Sequence, residues 1–168
     1  MPVFISYRHT DRAAALRINK RLEAKQITTY LDVMDSESQT TDDITTVISR
    51  NIIKCSHLIA LVSDDTAQSW WVPFEIGEAT ITERRIATFQ IDAAKLPDYL
   101  DKWPIMKKDS DLDLFIDAYT IDRATFASKR SVSMEGFESM ESTTGATLTK
   151  GSADSFHSAL KRKIRLGG

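Results

Sequence analysis

Up to Ile91 the chain alternates short apolar runs with helix-spaced patterns, and that alternation admits few folds. Val3-Phe4-Ile5-Ser6 reads as a strand, followed by Ala15, Leu16, Ile18, Asn19 and Leu22 near helical spacing, with Asp11 placed to cap that helix. Thr28 to Leu31 is a β-branched second strand closed by Asp32. After a polar loop from Val33 to Thr41, Asp42 opens a helix with Ile44, Val47, Ile48, Ile52 and Ile53 on one face. Leu58 to Val62 is unbroken apolar sequence, the mark of a central strand buried on both sides. Pro73 to Glu83 is the next helix, with proline in the first turn where its missing N–H costs nothing, and Arg85 to Ile91 is a fourth strand. Strand–helix–strand units in this order build a mainly parallel sheet covered by helices.

Beyond Ile91 the pattern weakens. Leu96 to Pro104 reads as irregular, Asp111 to Ala118 fits either a short helix or a strand, and Ser131 to Ser152, rich in Ser, Thr, Gly and Glu, reads as a long loop. Within it Met134, Phe137 and Met140 are spaced for a single helical turn. Ala153 to Arg165 is a closing helix with Phe156, Ala159, Leu160 and Ile164 on one face and basic residues at its carboxyl end. The 168 residues thus divide into a core over 1–91, an extension over 92–152 and a terminal helix over 153–165, expected to form one domain.

Charge and cysteine usage narrow the function classes. A net charge of -2 gives no electrostatic footprint for nucleic acid or an anionic membrane. No apolar run approaches the roughly 18 residues needed to span a bilayer, and no leader-like segment precedes the first strand, so a cytoplasmic location is expected. The single cysteine, Cys55, excludes an internal disulfide framework and reads as a small buried hydrophobe. His57 and His157 have no metal-ligand spacing with Cys55, and no metal is expected. Ser6 lacks a placed histidine–acid pair, which argues against a serine hydrolase; on its own it reads as a strand-end residue bonded to backbone.

The chemistry concentrates in Ser69-Trp70-Trp71-Val72-Pro73-Phe74-Glu75, between the third strand and the helix that follows. A strand, a polar loop and a helix start form the crevice where open α/β sheets bind ligands. A glutamate early in a helix often only complements the helix dipole. Here it stands four residues after Trp71, one helical turn, so that an acid sits beside a large aromatic at the crevice. Trp70 reads as core or interface rather than catalytic, and Glu78 as a solvated helix residue. The loop Tyr7-Arg8-His9-Thr10 offers backbone N–H groups and a guanidinium to an anion. There is no GxGxxG and no Walker loop, so neither a Rossmann dinucleotide site nor a P-loop is supported.

Taken together these segments resemble the TIR (Toll/interleukin-1 receptor) domain, bacterial type. Val3 to Asp11 looks like its first strand and loop, and Ile27-Thr28-Thr29-Tyr30-Leu31-Asp32 like its second strand with the terminal aspartate. Ile48 to Ser63 looks like its next helix and strand, running into a serine, tryptophan and glutamate signature at Ser69, Trp71 and Glu75. The likeness is collinear over the first 91 residues. One departure is the loop after the second strand: the family usually carries Gly or Pro there, and Ser36-Glu37-Ser38-Gln39-Thr40-Thr41 has neither.

The resemblance implies a flavodoxin-like α/β fold, a mainly parallel sheet with helices on both faces. It also implies a choice between two functions. Animal receptor and adaptor members mostly act as self-associating scaffolds. Many bacterial, plant and axonal members cleave NAD at the nicotinamide–ribose bond with the glutamate that matches Glu75, and some bacterial ones release a cyclic ADP-ribose isomer or a related conjugate as an anti-phage signal. The single-domain TIR proteins of Thoeris-type defence are the nearest in size. On that reading Glu75 is catalytic, Trp71, Ser6, Tyr7, Arg8 and Asp32 bind substrate, NAD is substrate with no further cofactor, and a separate effector protein reads the product. The alternatives are a non-catalytic TIR scaffold acting by homotypic assembly and a nucleoside-processing hydrolase or transferase, since that chemistry also uses a carboxylate at an α/β crevice.

Overall fold

The computed structural model describes residues 1–31, 44–135 and 144–167. The described residues form a five-stranded sheet in the order β2-β1-β3-β4-β5, with every pairing parallel. The strands are β1 (Val3–Ser6), β2 (Thr29–Leu31), β3 (His57–Val62), β4 (Arg85–Gln90) and β5 (Ile105–Met106). The helices are α1 (Arg12–Glu23), α2 (Ile44–Lys54), α3 (Trp71–Ile81), α4 (Asp109–Glu135) and α5 (Thr144–Leu166), with short 3-10 turns at His9–Asp11, Asp64–Gln68 and Asp98–Lys102. This is the flavodoxin-like α/β arrangement.

Strand parity decides which helix each residue meets. Val3, Ile5, Ile59, Leu61, Ala87 and Phe89 point to one face, where they pack with Ile18 and Leu22 of α1, Phe115 and Tyr119 of α4, and Phe156 and Leu160 of α5. Phe4, Leu58, Ala60, Val62 and Ile86 point to the other, against Ile48 and Ile52 of α2, Val72, Ile76 and Ala79 of α3, and Leu100 and Trp103. All six residues of β3 are buried, as its unbroken apolar run requires. Ser6 shares the parity of Phe4 and therefore faces the α2–α3 layer.

At the amino ends of the strands lies a buried polar cluster. His57 and Arg85 are register partners at the starts of β3 and β4. The Arg85 Nε lies 3.0 Å from Asp122 Oδ2 of α4, and its Nη2 donates to Ser152 Oγ of α5 at 2.5 Å. The His57 ring sits among Phe115, Tyr119 and Phe156, with centroids 5.9, 4.9 and 4.8 Å away. Burial, reinforced by the Arg85 charge, pushes His57 well below the usual imidazole range. It is therefore neutral, and its 3.7 Å approach to Asp122 is not an ion pair at neutral pH. Nearby, His157 Nε2 accepts the Ile86 N–H at 2.8 Å, capping β4 where the two-residue β5 gives it no neighbour. Burial likewise lowers His157, to about 4, which keeps that nitrogen available as an acceptor.

Several sequence expectations are corrected. Ser131 to Ser152 is not one long loop: α4 continues to Glu135 and α5 begins at Thr144. Phe137 and Met140 lie outside the described residues. Asp111 to Ala118 is helical, as part of α4. Leu96 to Pro104 contains a 3-10 turn and leads into β5, a strand too short to register in a periodicity. Asp11 stands at the start of α1 but its side chain does not cap the helix. Trp70 is not core; it is 89% exposed. Leu16, Val47 and Ile53 also lie on the solvent side of their helices. Cys55, by contrast, is buried as expected, and burial pushes its thiol up to about 11.

Candidate active site

β1 and β3 are neighbours, yet the chain leaves β1 toward the α1 face and leaves β3 toward the α3 face. Their carboxyl ends therefore open a crevice at the topological switch point of the sheet. Ser6 ends β1 there. Glu75 enters it from α3.

The helix begins at Trp71, two residues before Pro73, so Pro73 is its third residue, still among the first four whose N–H groups have no helical partner. Glu75 is then the fifth residue and carries no capping role; the first turn of α3 contains no acid. Instead, Glu75 points inward with 0% of its surface exposed, and the Ser6 hydroxyl donates to its Oε2. A carboxylate removed from water needs hydrogen bonds to persist, and Ser6 supplies one. Ser6 does end β1, but its hydroxyl bonds the acid rather than backbone. Its own side chain is fully buried and its partner is the acid.

Trp71 lies one helical turn before Glu75 on the same side of α3, 37% exposed, with Phe74 meeting it edge-on at 6.0 Å and 88°. It forms an aromatic wall next to the carboxylate. With Glu75 closed off from solvent, a ligand reaches it only if a covering side chain or segment moves.

The loops around this pair are stitched together. The Arg8 guanidinium donates to the Asp65 carbonyl oxygen, joining the β1–α1 loop to the turn after β3. Ser63 Oγ donates to Asp11 Oδ2 at 2.8 Å, while the Ser63 N–H is capped by Thr66 Oγ1 at 2.9 Å. Burial raises the Asp11 carboxyl, the Ser63 hydrogen bond opposes that, and the nearby Asp65 adds to it. Tyr7 packs partly buried against the α1-side core. Asp32 and the loop from Val33 to Thr41 lie outside the described residues.

The structure thus joins Ser6 to Glu75, sets Trp71 one helical turn before it, and leaves Tyr7 against the α1-side core and Arg8 bonded to the Asp65 carbonyl oxygen. The Asp11–Ser63 link is a feature of this end of the sheet that the sequence pattern hides, because Asp11 reads as a helix cap. A cavity of about 240 Å³ also opens on the other flank of α3, lined by Ser63, Thr66, Val72, Pro73, Lys95 and Tyr99. No group of three or more His, Cys, Asp or Glu able to hold a metal occurs among the described residues. No helix among them is long and apolar enough to cross a membrane.

Comparison with known proteins agrees with this architecture. The TIR domain of the Toll-related receptor TRR-2 from Hydra magnipapillata superposes with a TM-score of 0.55 at 18% identity, covering 66% of this chain and 87% of that one. The TIR domains of the activated Roq1 resistosome directly recognizing the pathogen effector XopQ match at a TM-score of 0.45 and 16% identity, over 96% of this chain and 81% of that one. No curated protein matches by sequence. The family model described as TIR domain matches residues 3–126, well past the Ile91 limit of the motif likeness and into α4. The chain therefore belongs to the TIR domain family, which includes both NAD-cleaving enzymes and assembly scaffolds.

Proposed function

We propose that this chain consumes NAD, breaking the nicotinamide–ribose bond with Glu75 as its catalytic carboxylate. The observation that supports this most is the buried Ser6–Glu75 pair at the switch-point crevice, with Trp71 one turn away. A glutamate kept only for the helix dipole belongs in the first turn and in solvent; this one is in the second turn and buried.

The reaction asks for little else. Nicotinamide departs as a neutral pyridine from a cationic ring nitrogen, so its departure needs no general acid. O-glycosidases need a second carboxylate for that step. One carboxylate aimed at the ribose stabilises the oxocarbenium-like transition state electrostatically. Trp71 limits water at C1, so that a nucleophile from the same molecule, an adenine nitrogen or ribose hydroxyl, competes with hydrolysis. The product on this reading is a cyclic ADP-ribose isomer or a related ADP-ribose-derived signal, of the kind used in bacterial anti-phage defence. On this reading Arg8 and the N–H groups of its loop bind the pyrophosphate of the substrate.

The test is mass spectrometry of NAD incubated with concentrated protein, wild type against Glu75→Gln. Nicotinamide release by the wild type and its loss in the variant is the expected result. Protein-free filtrate from the active reaction should switch on a separate effector, and filtrate from Glu75→Gln should not. Activation that required contact with the chain itself, and survived Glu75→Gln, would establish the scaffold reading instead.

A further inference from the structure

Helices α4 and α5 lie against each other on the α1 side of the sheet, and most of the side chains that face across are small. Ala118 of α4 and Gly151, Ser152, Ser155 and Ala159 of α5 line the gap at helical spacing. Faces this small let two helices approach to about 8 Å between axes, with little space left between them. These do not close. A cavity of about 400 Å³ remains, within the roughly 300–1,000 Å³ of small-molecule sites. The anchors that hold the helices apart lie behind the gap: Phe156 packs edge-on against Phe115 in the core, and Asp122 is fixed by Arg85. A Cβ built on Gly151 would meet no heavy atom within 4 Å, so the space is open at that end too. α5 begins beyond residue 126, where the family match ends, so the match does not account for this cavity.

The lining determines the chemistry of an occupant. Its walls are apolar: Ala118 and Phe156 are buried, and Ile121, 59% exposed, lines the open side. Its hydroxyl hydrogens are already engaged. Thr125 Oγ1 donates to the Ile121 carbonyl oxygen at 2.9 Å, Ser155 Oγ to that of Gly151 at 2.7 Å, and Ser152 Oγ to Asp122 Oδ1 at 3.5 Å. The Asp122 carboxylate is met by the Arg85 guanidinium. That leaves Lys163, one turn after Ala159. Helical side chains lean toward the amino end of their helix, which carries its ammonium back over the cavity. No ion pair to Lys163 occurs among the described residues. A lysine near a helix end often only complements the dipole, as exposed Arg162 and Arg165 do here, but of the three only Lys163 lines the cavity. We infer that the α4–α5 cavity binds a monoanionic amphiphile, an apolar body bearing one carboxylate or sulfonate, with the body between Ile121, Phe156 and Ala159 and the anion paired with Lys163. The cavity lies across the sheet from α3, which carries Glu75, and the inference is independent of any enzymatic activity.

The probe is 8-anilinonaphthalene-1-sulfonate, an aromatic body with one sulfonate, and its control is N-phenyl-1-naphthylamine, the same body without the charge. Both are titrated by fluorescence into the full chain, and the Ile121 methyl signals in a carbon–proton NMR spectrum locate the binding. The wild type should bind the sulfonate saturably, with Ile121 shifting along the same isotherm. Lys163→Glu should weaken the sulfonate by at least about tenfold, as loss of a charge-assisted contact does, and leave the neutral control unchanged. Ala159→Trp fills the cavity and should abolish binding of both, with a circular dichroism spectrum that remains native. Lys163 lies outside the core, so its variant carries the test even where Ala159→Trp does not fold. A wild type whose Ile121 signals do not respond, a Lys163→Glu chain that binds the sulfonate undiminished or loses both probes equally, or a folded Ala159→Trp chain that still binds would each overturn the inference.

Discussion

The two ends of the sheet are both buried and polar, and they are built for different purposes. At the amino ends, Arg85 and Asp122 neutralise each other, one guanidinium nitrogen of Arg85 donates to Ser152, and aromatic rings enclose a neutral His57. The buried guanidinium of Arg85 there faces the Asp122 carboxylate. At the carboxyl ends, Glu75 is held by a hydroxyl from Ser6, with an aromatic wall beside it. A paired ion is spent on structure, whereas a buried carboxylate that takes a hydroxyl donor at the mouth of the sheet stands where a ligand can meet it. Ligands of parallel α/β sheets bind at the carboxyl ends for the same topological reason that opens the crevice between β1 and β3.

Breaking the amino end should cost stability and spare chemistry. Asp122→Ala leaves Arg85 buried without its carboxylate, and removing one partner of a buried pair costs about 3–5 kcal/mol. Urea unfolding monitored by circular dichroism measures it, and NAD turnover per folded molecule should be unchanged. A loss of turnover as large as the loss of stability would erase the distinction between the two ends.

Breaking the carboxyl end should do the reverse. Glu75→Gln preserves shape and still accepts from Ser6, but it removes the charge opposing the oxocarbenium ion, a loss on the order of 10²–10³ in rate. Its urea midpoint should match the wild type. Ser6→Ala is the milder form: losing one hydrogen bond to a charged group costs about 1.5–3 kcal/mol, roughly 10–100-fold in rate. Ser6→Thr, which keeps the hydroxyl, should restore the rate.

Acid distinguishes the ends again. His57 is depressed well below 6.5 and His157 to about 4, so in the folded chain both stay neutral where the unfolded chain binds protons. Their contribution to stability is complete above pH 6.5 and is lost progressively as pH falls below it, for His157 down to about 4. His157→Gln keeps an acceptor for the Ile86 N–H but does not titrate. Its stability should therefore fall less steeply between pH 6.5 and about 4 than that of the wild type, measured by thermal melts across that window.

The two ends were also unequally legible in sequence. β1, β3 and α3 follow from apolar runs and from Pro73, and the motif Trp71–Glu75 is local, four residues within one helix. The hydrogen bond that gives Glu75 its setting joins residues 69 apart and depends on Ser6 sharing the parity of Phe4. The His57–Arg85–Asp122–Ser152 cluster draws on two strands and two helices, and nothing local in any of them marks it. α4 does carry Leu112, Phe115, Ile116 and Tyr119 at helical spacing, but Ser, Thr and Asp dilute the signal, and Thr144-Gly145 at the start of α5 are poor helix formers. β5 has two residues between Pro104 and Lys107, too few for any period.

The smallest structural change bears on the finest functional distinction. Trp71 is 37% exposed and its ring forms a wall rather than a core, so Trp71→Ala should cost little stability. Its effect should appear in what the reaction makes. Once the nicotinamide–ribose bond is broken, C1 of the ribose is captured either by water or by a nucleophile in the same molecule, and the ratio depends on how well the wall keeps water out. Removing the indole admits water, so liquid chromatography with mass spectrometry should show a shift from cyclic or conjugated product toward linear ADP-ribose, with total nicotinamide release changed less than the product ratio. Trp71→Phe, which keeps an aromatic wall, should stay near the wild-type ratio. A wild-type chain that releases only linear ADP-ribose would remove the cyclisation step, leaving Trp71 as a stacking surface whose loss raises the KM for NAD instead.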